Sequence, residues 1–448
     1  MPESMQYEAL DIAVTSRFHV TWDDDGSGAR ADVTFHAPLY PSLLDHALGW
    51  RFIAHTARPV QTNLDRQHVA ILARGVDSAD EMLKPPVDFE LIWRDKGSGA
   101  RQNGSLWRPV PPEGYVALSD VCVRGWDKPT GSVISCVRKT PVKGRSYVRE
   151  AEVGAWIWDD RGSGADTDVS VWKVTAPHYP SDSTERLILD LDAFAAHDSH
   201  SRPEHPVYVL DLPALIVKQD PPPVPVLTSH HAPEEETLPV TDRQVTVPCT
   251  VIKDPSKSPD WQALNSPFYT LERRVSYFRQ MFRNNANGTS PQEDTQSITT
   301  GVSKEKSEEF SSRTSVSVTA STGIQLKAFS ASVETNVTVE TGYSSRYGVT
   351  VFQEESRSWG MVTPPHSSCA LWSPRHEIRA IRKNGEVIGG QGGLKFDENL
   401  RISGEYPGTG QARVLLDGTD VTEAEQKALP FGEPQSNVTK EIRRHVAL

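Results

Sequence analysis

The segment WDDDGSGA, Trp22 to Ala29, recurs as WRDKGSGA at Trp93 to Ala100 and as WDDRGSGA at Trp158 to Ala165. Counted from each alanine the likeness runs on: Asp32, Asn103 and Asp168 come three residues later, then Thr34, Ser105 and Ser170 five later. Phe35, Leu106 and Val171 follow, then His36, Trp107 and Trp172, then prolines in every copy. The interval is nearly constant and too long for a solenoid repeat, so each copy reads as one small sheet of a pseudo-threefold unit. Within a copy the pattern is strand, Gly-Ser-Gly turn, strand, proline-rich bend and a further strand such as YVALSDVCVRGW or RLILDLDAF. Three such sheets closing about an axis give a β-prism-like domain and remove free sheet edges. A β-trefoil or an open sandwich is the alternative.

A chain of 448 residues exceeds one ordinary core, and 33 prolines with 30 glycines favour many turns and short strands, so the expected fold class is mostly β. A net charge of −12 without a Lys/Arg-rich block argues against nucleic acid as a partner. Cys122, Cys136, Cys249 and Cys369 lack metal spacing. Cys122 and Cys136 facing each other and four free buried thiols both fit, which leaves the redox compartment open. The stretch MPESMQYEALDIAV carries no basic region followed by an apolar run, so release without a visible signal peptide is expected. No apolar run approaches the roughly 20 residues of a spanning helix.

At DPPPVPVLTSHHAPEEETLPV, Asp220 to Val240, the texture turns to prolines and acids. The expected organisation is therefore a recognition domain over 1–219, a linker over 220–240 and a second domain over 241–448. A long surface loop within one domain is the other reading of that stretch.

The second domain holds TSVSVTASTGIQLKAFSASVETNVTVET, Thr314 to Thr341. Val316, Val318, Ala320, Ile324 and Leu326 fall on even positions, whereas Phe329, Ala331, Val333, Val337 and Val339 fall on odd ones. A hairpin turning at Lys327-Ala328 would gather all ten on one face and leave Ser, Thr, Asn, Gln and Glu on the other. Each arm has 13 residues, and a tilted strand crosses a bilayer with about 9–11. A single hairpin leaves edge amides unpaired in lipid, so such use requires a closed barrel from several copies. Ordinary half-buried hairpins show the same alternation. Here the apolar face is modest, the polar face nearly pure, and the flanks KEKSEEFSSR and GYSSRYG extend the Ser/Thr-rich texture.

The Gly-Ser-Gly loops do not suit a dinucleotide, because strands rather than a helix follow them. Calcium needs several carboxylates, and Asp24, Asp95 and Asp160 are the acids common to all copies. Glycines at positive φ with an Asp/Ser cap explain the loops as turns. A carbohydrate site would draw on Asp95, Ser98 and Trp107 in copy two and on Asp160, Ser163 and Trp172 in copy three. His230-His231 and PRHEIR, Pro374 to Arg379, lack zinc spacing and are expected to be solvated; Asn384-Gly385 reads as a hairpin turn, and TKEIRRHVAL as a short helix or a tail. No spacing suggests a catalytic constellation, a metal or a cofactor, so no enzyme is expected.

On these residues two resemblances rest. The long Ser/Thr-rich strands about the amphipathic hairpin resemble the aerolysin-type β-pore-forming toxins, over roughly 240–400. The Trp-Asp-Gly-Ser-Gly-Ala copies, with SLWRPVPPEGYVALSDVCVRG after the second, resemble the vacuolar protein sorting-associated protein 62 family, over roughly 10–215. Together they imply a receptor- or glycan-facing β domain joined to an elongated aerolysin-like pore-forming module, as in insecticidal or antimicrobial toxins. Such a protein would be a monomer or small oligomer in solution and a homo-oligomer on a target-cell membrane. A non-lytic lectin or adhesin is the rival class, and a glycan-active enzyme a third. His36 departs from Trp107 and Trp172, so a ligand site shared by copies two and three would be missing from copy one.

Overall fold

The computed structural model describes residues 2–422 except 43, 132, 178–185, 315, 320–322, 331–332, 340–353, 390–391 and 399. The fold is mostly β and almost wholly antiparallel.

Each copy supplies three strands. They are Phe18–Asp23, Thr34–Pro38 and Thr56–Arg58 in copy one; Asp88–Arg94, Gly104–Val110 and Val121–Arg124 in copy two; Val148–Asp159, Ser170–Thr175 and Phe194–His197 in copy three. In all three the middle strand pairs with both others. The register places Trp22 opposite Phe35, Trp93 opposite Leu106 and Trp158 opposite Val171, and slips at the residue just before each tryptophan. That repeated bulge re-aims each indole. The three rings meet at one point, with centroid separations of 5.5, 6.0 and 5.8 Å in tilted or T-shaped contact. Edge-to-face packing suits the ring quadrupoles, so the three indoles form the axial core of the prism.

The third strands depart from the simple reading. YVALSDVCVRGW breaks into Tyr115–Val116 and Val121–Arg124, which lie in different sheets. RLILDLDAF breaks likewise into Arg186–Leu189 and Phe194–His197, because Asp192 adopts a φ of +58° between them. Cys122 and Cys136 are both buried and free, as are Cys249 and Cys369.

Near the expected boundary, Leu215–Lys218 pairs with Val240–Pro248 and so belongs to the sheet of the second half. The proline-rich stretch between them is more than a tether. Leu227 is buried with Tyr277 and Trp372, and Arg279 N–H donates to the Glu235 carbonyl, which straps it along the second-half sheet. That sheet is carried by two long strands, Phe268–Asn285 and Ser367–Arg382, paired over nearly their whole length with one bulge at Gln280. Buried acid–base pairs rivet it: Asp242 with Arg273, Glu272 with Arg379, and Asp254 with Arg382 (2.7 Å). The core is continuous between halves, running from Tyr7 and Leu10 through Leu187 and Leu210 to Val247, Tyr269 and Ile378.

Asn384-Gly385 does form a turn, with Gly385 N–H donating to the Arg382 carbonyl. PRHEIR is not solvated: it lies in the strand Ser367–Arg382, where His376 is buried, stacked on Phe396 and paired with Glu398. His230 is likewise engaged, its Nδ1 lying 3.0 Å from Ser368 Oγ. TKEIRRHVAL falls outside the described residues.

Candidate functional site

The three loops form a closed ring. Glycines Gly26, Gly97 and Gly162 stand at φ of +86°, +87° and +93°, where a Cβ would be strained. In each loop the serine amide donates to the aspartate carbonyl, and the serine hydroxyl accepts from the alanine amide two residues on at 3.1 Å. Successive copies are then stitched together. Trp22 Nε1 donates to the Gln102 carbonyl, Trp93 Nε1 to Thr167 and Trp158 Nε1 to Ala31, at 2.7, 2.9 and 2.8 Å. In the opposite sense Arg30, Arg101 and Asp166 amides donate to the carbonyls of Arg161, Asp25 and Lys96. All six bonds join equivalent positions, so the repeated motif is the clasp of the pseudo-threefold axis.

This accounts for the residues read as ligand-binding. Asp95, Ser98, Asp160 and Ser163 are buried and bonded within the scaffold. Trp107 is 3% exposed and donates to Ser105 Oγ, so it offers no stacking face, and Trp172 is half-buried with its Nε1 on Ser170 Oγ. In copy two core packing therefore uses the Trp107 ring, whereas Trp172 in copy three stays partly exposed. His36 replaces the tryptophan in copy one as a buried side chain held on the Thr62 carbonyl at 3.0 Å. Burial pushes its imidazole down to about 4, and it stays neutral at physiological pH.

The repeated aspartate has a donor in every copy, but a different one: Gln61 on Asp24, Trp126 Nε1 on Asp95, and His200 Nε2 on Asp160. Asp160, Asp168 and His200 do come within 4.8 Å of one another, a grouping compatible with a cation. The parallel with Gln61 and Trp126 assigns His200 the role of hydrogen-bond donor.

Around the expected insertion hairpin the backbone differs from the simple hairpin. Val316–Thr319, Gly323–Ser330 and Val333–Val339 form a three-stranded meander. Val316 pairs with Leu326 and Val318 with Ile324; then Ile324 pairs with Val339 and Leu326 with Val337. The expected turn at Lys327-Ala328 lies inside the middle strand, and Phe329 pairs with Glu334, on the face opposite the valines. Shorter arms with two turns pair the middle strand, Gly323–Ser330, on both of its edges. Val316, Val318, Ile324, Leu326, Val337 and Val339 still share one face. Ala320 and Ala331 lie outside the described residues, and Val333 pairs with Ser330 at the end of the sheet. The flank KEKSEEFSSR is helical: Lys304–Thr314 has Glu305 in its first turn and Arg313 in its last, which suits the helix dipole.

The meander neighbours the strand Arg186–Leu189 and the turn Cys249–Val251. The turn borders a cavity of about 380 Å³ between the halves, walled by Leu64, Ile71, Leu191 and Ile252. Here sequence reading missed a buried charge cluster, since LDLDAF resembles any strand end. Asp192 is paired with Arg58 and with His68 (3.2 Å). Burial works against its charge, but Arg58 and His68 prevail and hold it down at about 2. Asp190, also buried, is pushed up to about 7 by desolvation, and its Oδ2 has no hydrogen-bond partner among the described residues.

Residues 4–203 match the model of the vacuolar protein sorting-associated protein 62 family, and residues 241–364 that of the insecticidal crystal toxin P42 family. No curated protein matches in sequence. Similar solved structures include two toxins. The crystal structure of GNIP1Aa from Chromobacterium piscinae has 24% identity and a TM-score of 0.33, covering 43% of this chain and 34% of its own. That of Cry35Ab1 has 12% identity and a TM-score of 0.32, covering 74% and 90%. The chain thus spans about a third of GNIP1Aa. The chain is thus similar to the vacuolar protein sorting-associated protein 62 family over residues 4–203 and to the insecticidal crystal toxin P42 family over residues 241–364.

Proposed function

We propose that this protein is a pore-forming toxin: its repeat domain binds a cell-surface receptor or glycan, copies assemble on the membrane, and residues 314–341 insert as a β-barrel hairpin. The observation that carries the reading is the segregated meander. Seven aliphatic residues, Val316, Val318, Ile324, Leu326, Val333, Val337 and Val339, share one face in the observed register, and the same seven share a face in the long hairpin turning at Lys327-Ala328. The segment is therefore compatible with two pairings, a short stowed one and a long one of membrane-spanning length, between which Phe329 joins the aliphatic face and Ser330 leaves it. The relation of residues 241–364 to insecticidal crystal toxins supports insects as the target. The protein acts outside the producing cell, without an enzymatic step.

Dye release from target-cell membranes or from vesicles of their lipids tests this, with electron microscopy of the same samples. Release accompanied by ring-shaped particles is expected. Binding without release and without rings would establish the lectin or adhesin instead.

A further inference from the structure

The pseudo-threefold symmetry brings the first strand of one copy against the third strand of the next, and the resulting grooves are not alike. Between copies two and three the groove is acidic and smaller, with a cavity of about 280 Å³. Arg108 plugs part of it, donating to both Asp120 oxygens at 3.2 Å and to the Ala196 carbonyl at 2.6 Å, while Glu90, Asp198 and Glu204 line it. Between copies one and two, equivalent positions carry other residues. Ala37 stands for Arg108, His55 for Asp120, His19 for Glu90 and Arg124 for Asp198. Removing the plug leaves a cavity of about 580 Å³, and both rim positions change from acid to base. The third junction has Ala155 and Pro59 at the rim and no charge there.

The open cavity has the chemistry of a site. Its wall is apolar, with Pro38, Leu39, Val133 and Phe52, the last stacked on Tyr40 at 4.0 Å. His55 is 2% exposed on its border. Its Nε2 lies 3.2 Å from the Val133 carbonyl, which can only accept, so that nitrogen carries the proton. Nδ1 is then an acceptor, without a hydrogen-bond partner among the described residues, although the Cys122 carbonyl also faces the ring. A buried acceptor left open asks for a donor from a ligand. At the mouth Arg124 is exposed and makes no ion pair with a described carboxylate, and His19 stands beside it.

We propose that this cavity binds a carboxylate-bearing monosaccharide, with Arg124 taking the carboxylate, the apolar wall the C–H face of the ring, and His55 Nδ1 a hydroxyl. A drug-sized pocket of some 300–1,000 Å³ accommodates such a ring with room to spare. The proposal rests on the surface-binding half of the function above and names its ligand class.

Calorimetric titration of the full chain with D-glucuronate, D-glucose and inorganic phosphate tests it. Glucuronate should bind at least about 10-fold more tightly than either glucose or phosphate, since each lacks one of the two halves recognised. Arg124→Asp, which installs the residue of the copy-three position on an exposed side chain, should weaken glucuronate by at least about 10-fold. Glu90→Gln, in the acidic groove, should change nothing. The His19 titration should move upward when glucuronate is bound, because an adjacent anion favours imidazolium. Failure of glucuronate to bind, equal binding of glucose or phosphate, or an unchanged affinity in Arg124→Asp overturns the site. If dye release persists in any of those cases, the site fails while the pore reading stands.

Discussion

Trp93 shows what one residue of the repeat does: its ring packs against two other indoles and its N–H closes a bond to the next copy. Trp93→Ala opens the axial core and should cost about 3–5 kcal/mol in denaturant melts. A loss under 1 kcal/mol would mean that the clasp is ornamental. Gly104 is a second such point. Its copies carry Val33 and Val169, yet a Cβ here would lie 2.3 Å from Trp22 Cδ1, at ordinary negative φ. Gly104→Ala should therefore destabilise by about 1–3 kcal/mol through overpacking alone, whereas Ala at Gly114, where the methyl meets only Thr140, lacks that clash and carries only backbone strain. The motif was legible in the sequence because turns demand Gly, Ser and Asp at fixed offsets. What Trp107 does was not, since a core tryptophan and a binding tryptophan look alike until burial is known.

At the scale of elements, alternation located the strands of residues 314–341 and their common apolar face, but not their register. Period-two patterning fixes which residues share a face and leaves turn position free whenever a Ser/Thr-rich segment offers several. The stretch Asp220–Val240 reads as a linker for a related reason: proline and acidic content reports the lack of a ladder, while Leu227 under Trp372 is a tertiary contact. The acid–base rivets of the long sheet carry their own expectation. Arg382→Met leaves Asp254 buried without its partner and should destabilise by about 3–5 kcal/mol. Chemical denaturation at pH 7 measures it.

For the whole molecule, the junction between halves is where stability should respond to acid. Asp190 sits at about 7 when folded against an ordinary value of 3.8, so between those pH values the folded state holds a proton that the unfolded state has released. Its contribution falls as pH rises from about 4 to 7. Asp190→Asn removes that penalty, and its stability relative to the parent should grow across this window and level off above it. Neutral His36 and His55, both near 4 when folded, act in the opposite sense and are common to both proteins, so the comparison cancels them. A difference that stays flat from pH 4 to 7 would show that Asp190 is not desolvated. The same junction neighbours the stowed meander, which places the segment proposed to insert beside Arg186–Leu189 and the turn Cys249–Val251. The most direct measurement is dye release by a variant whose strand Val333–Val339 is disulfide-linked to Arg186–Leu189. Oxidised protein should bind membranes without releasing dye and recover release on reduction; release as fast when oxidised as when reduced would contradict insertion of this segment.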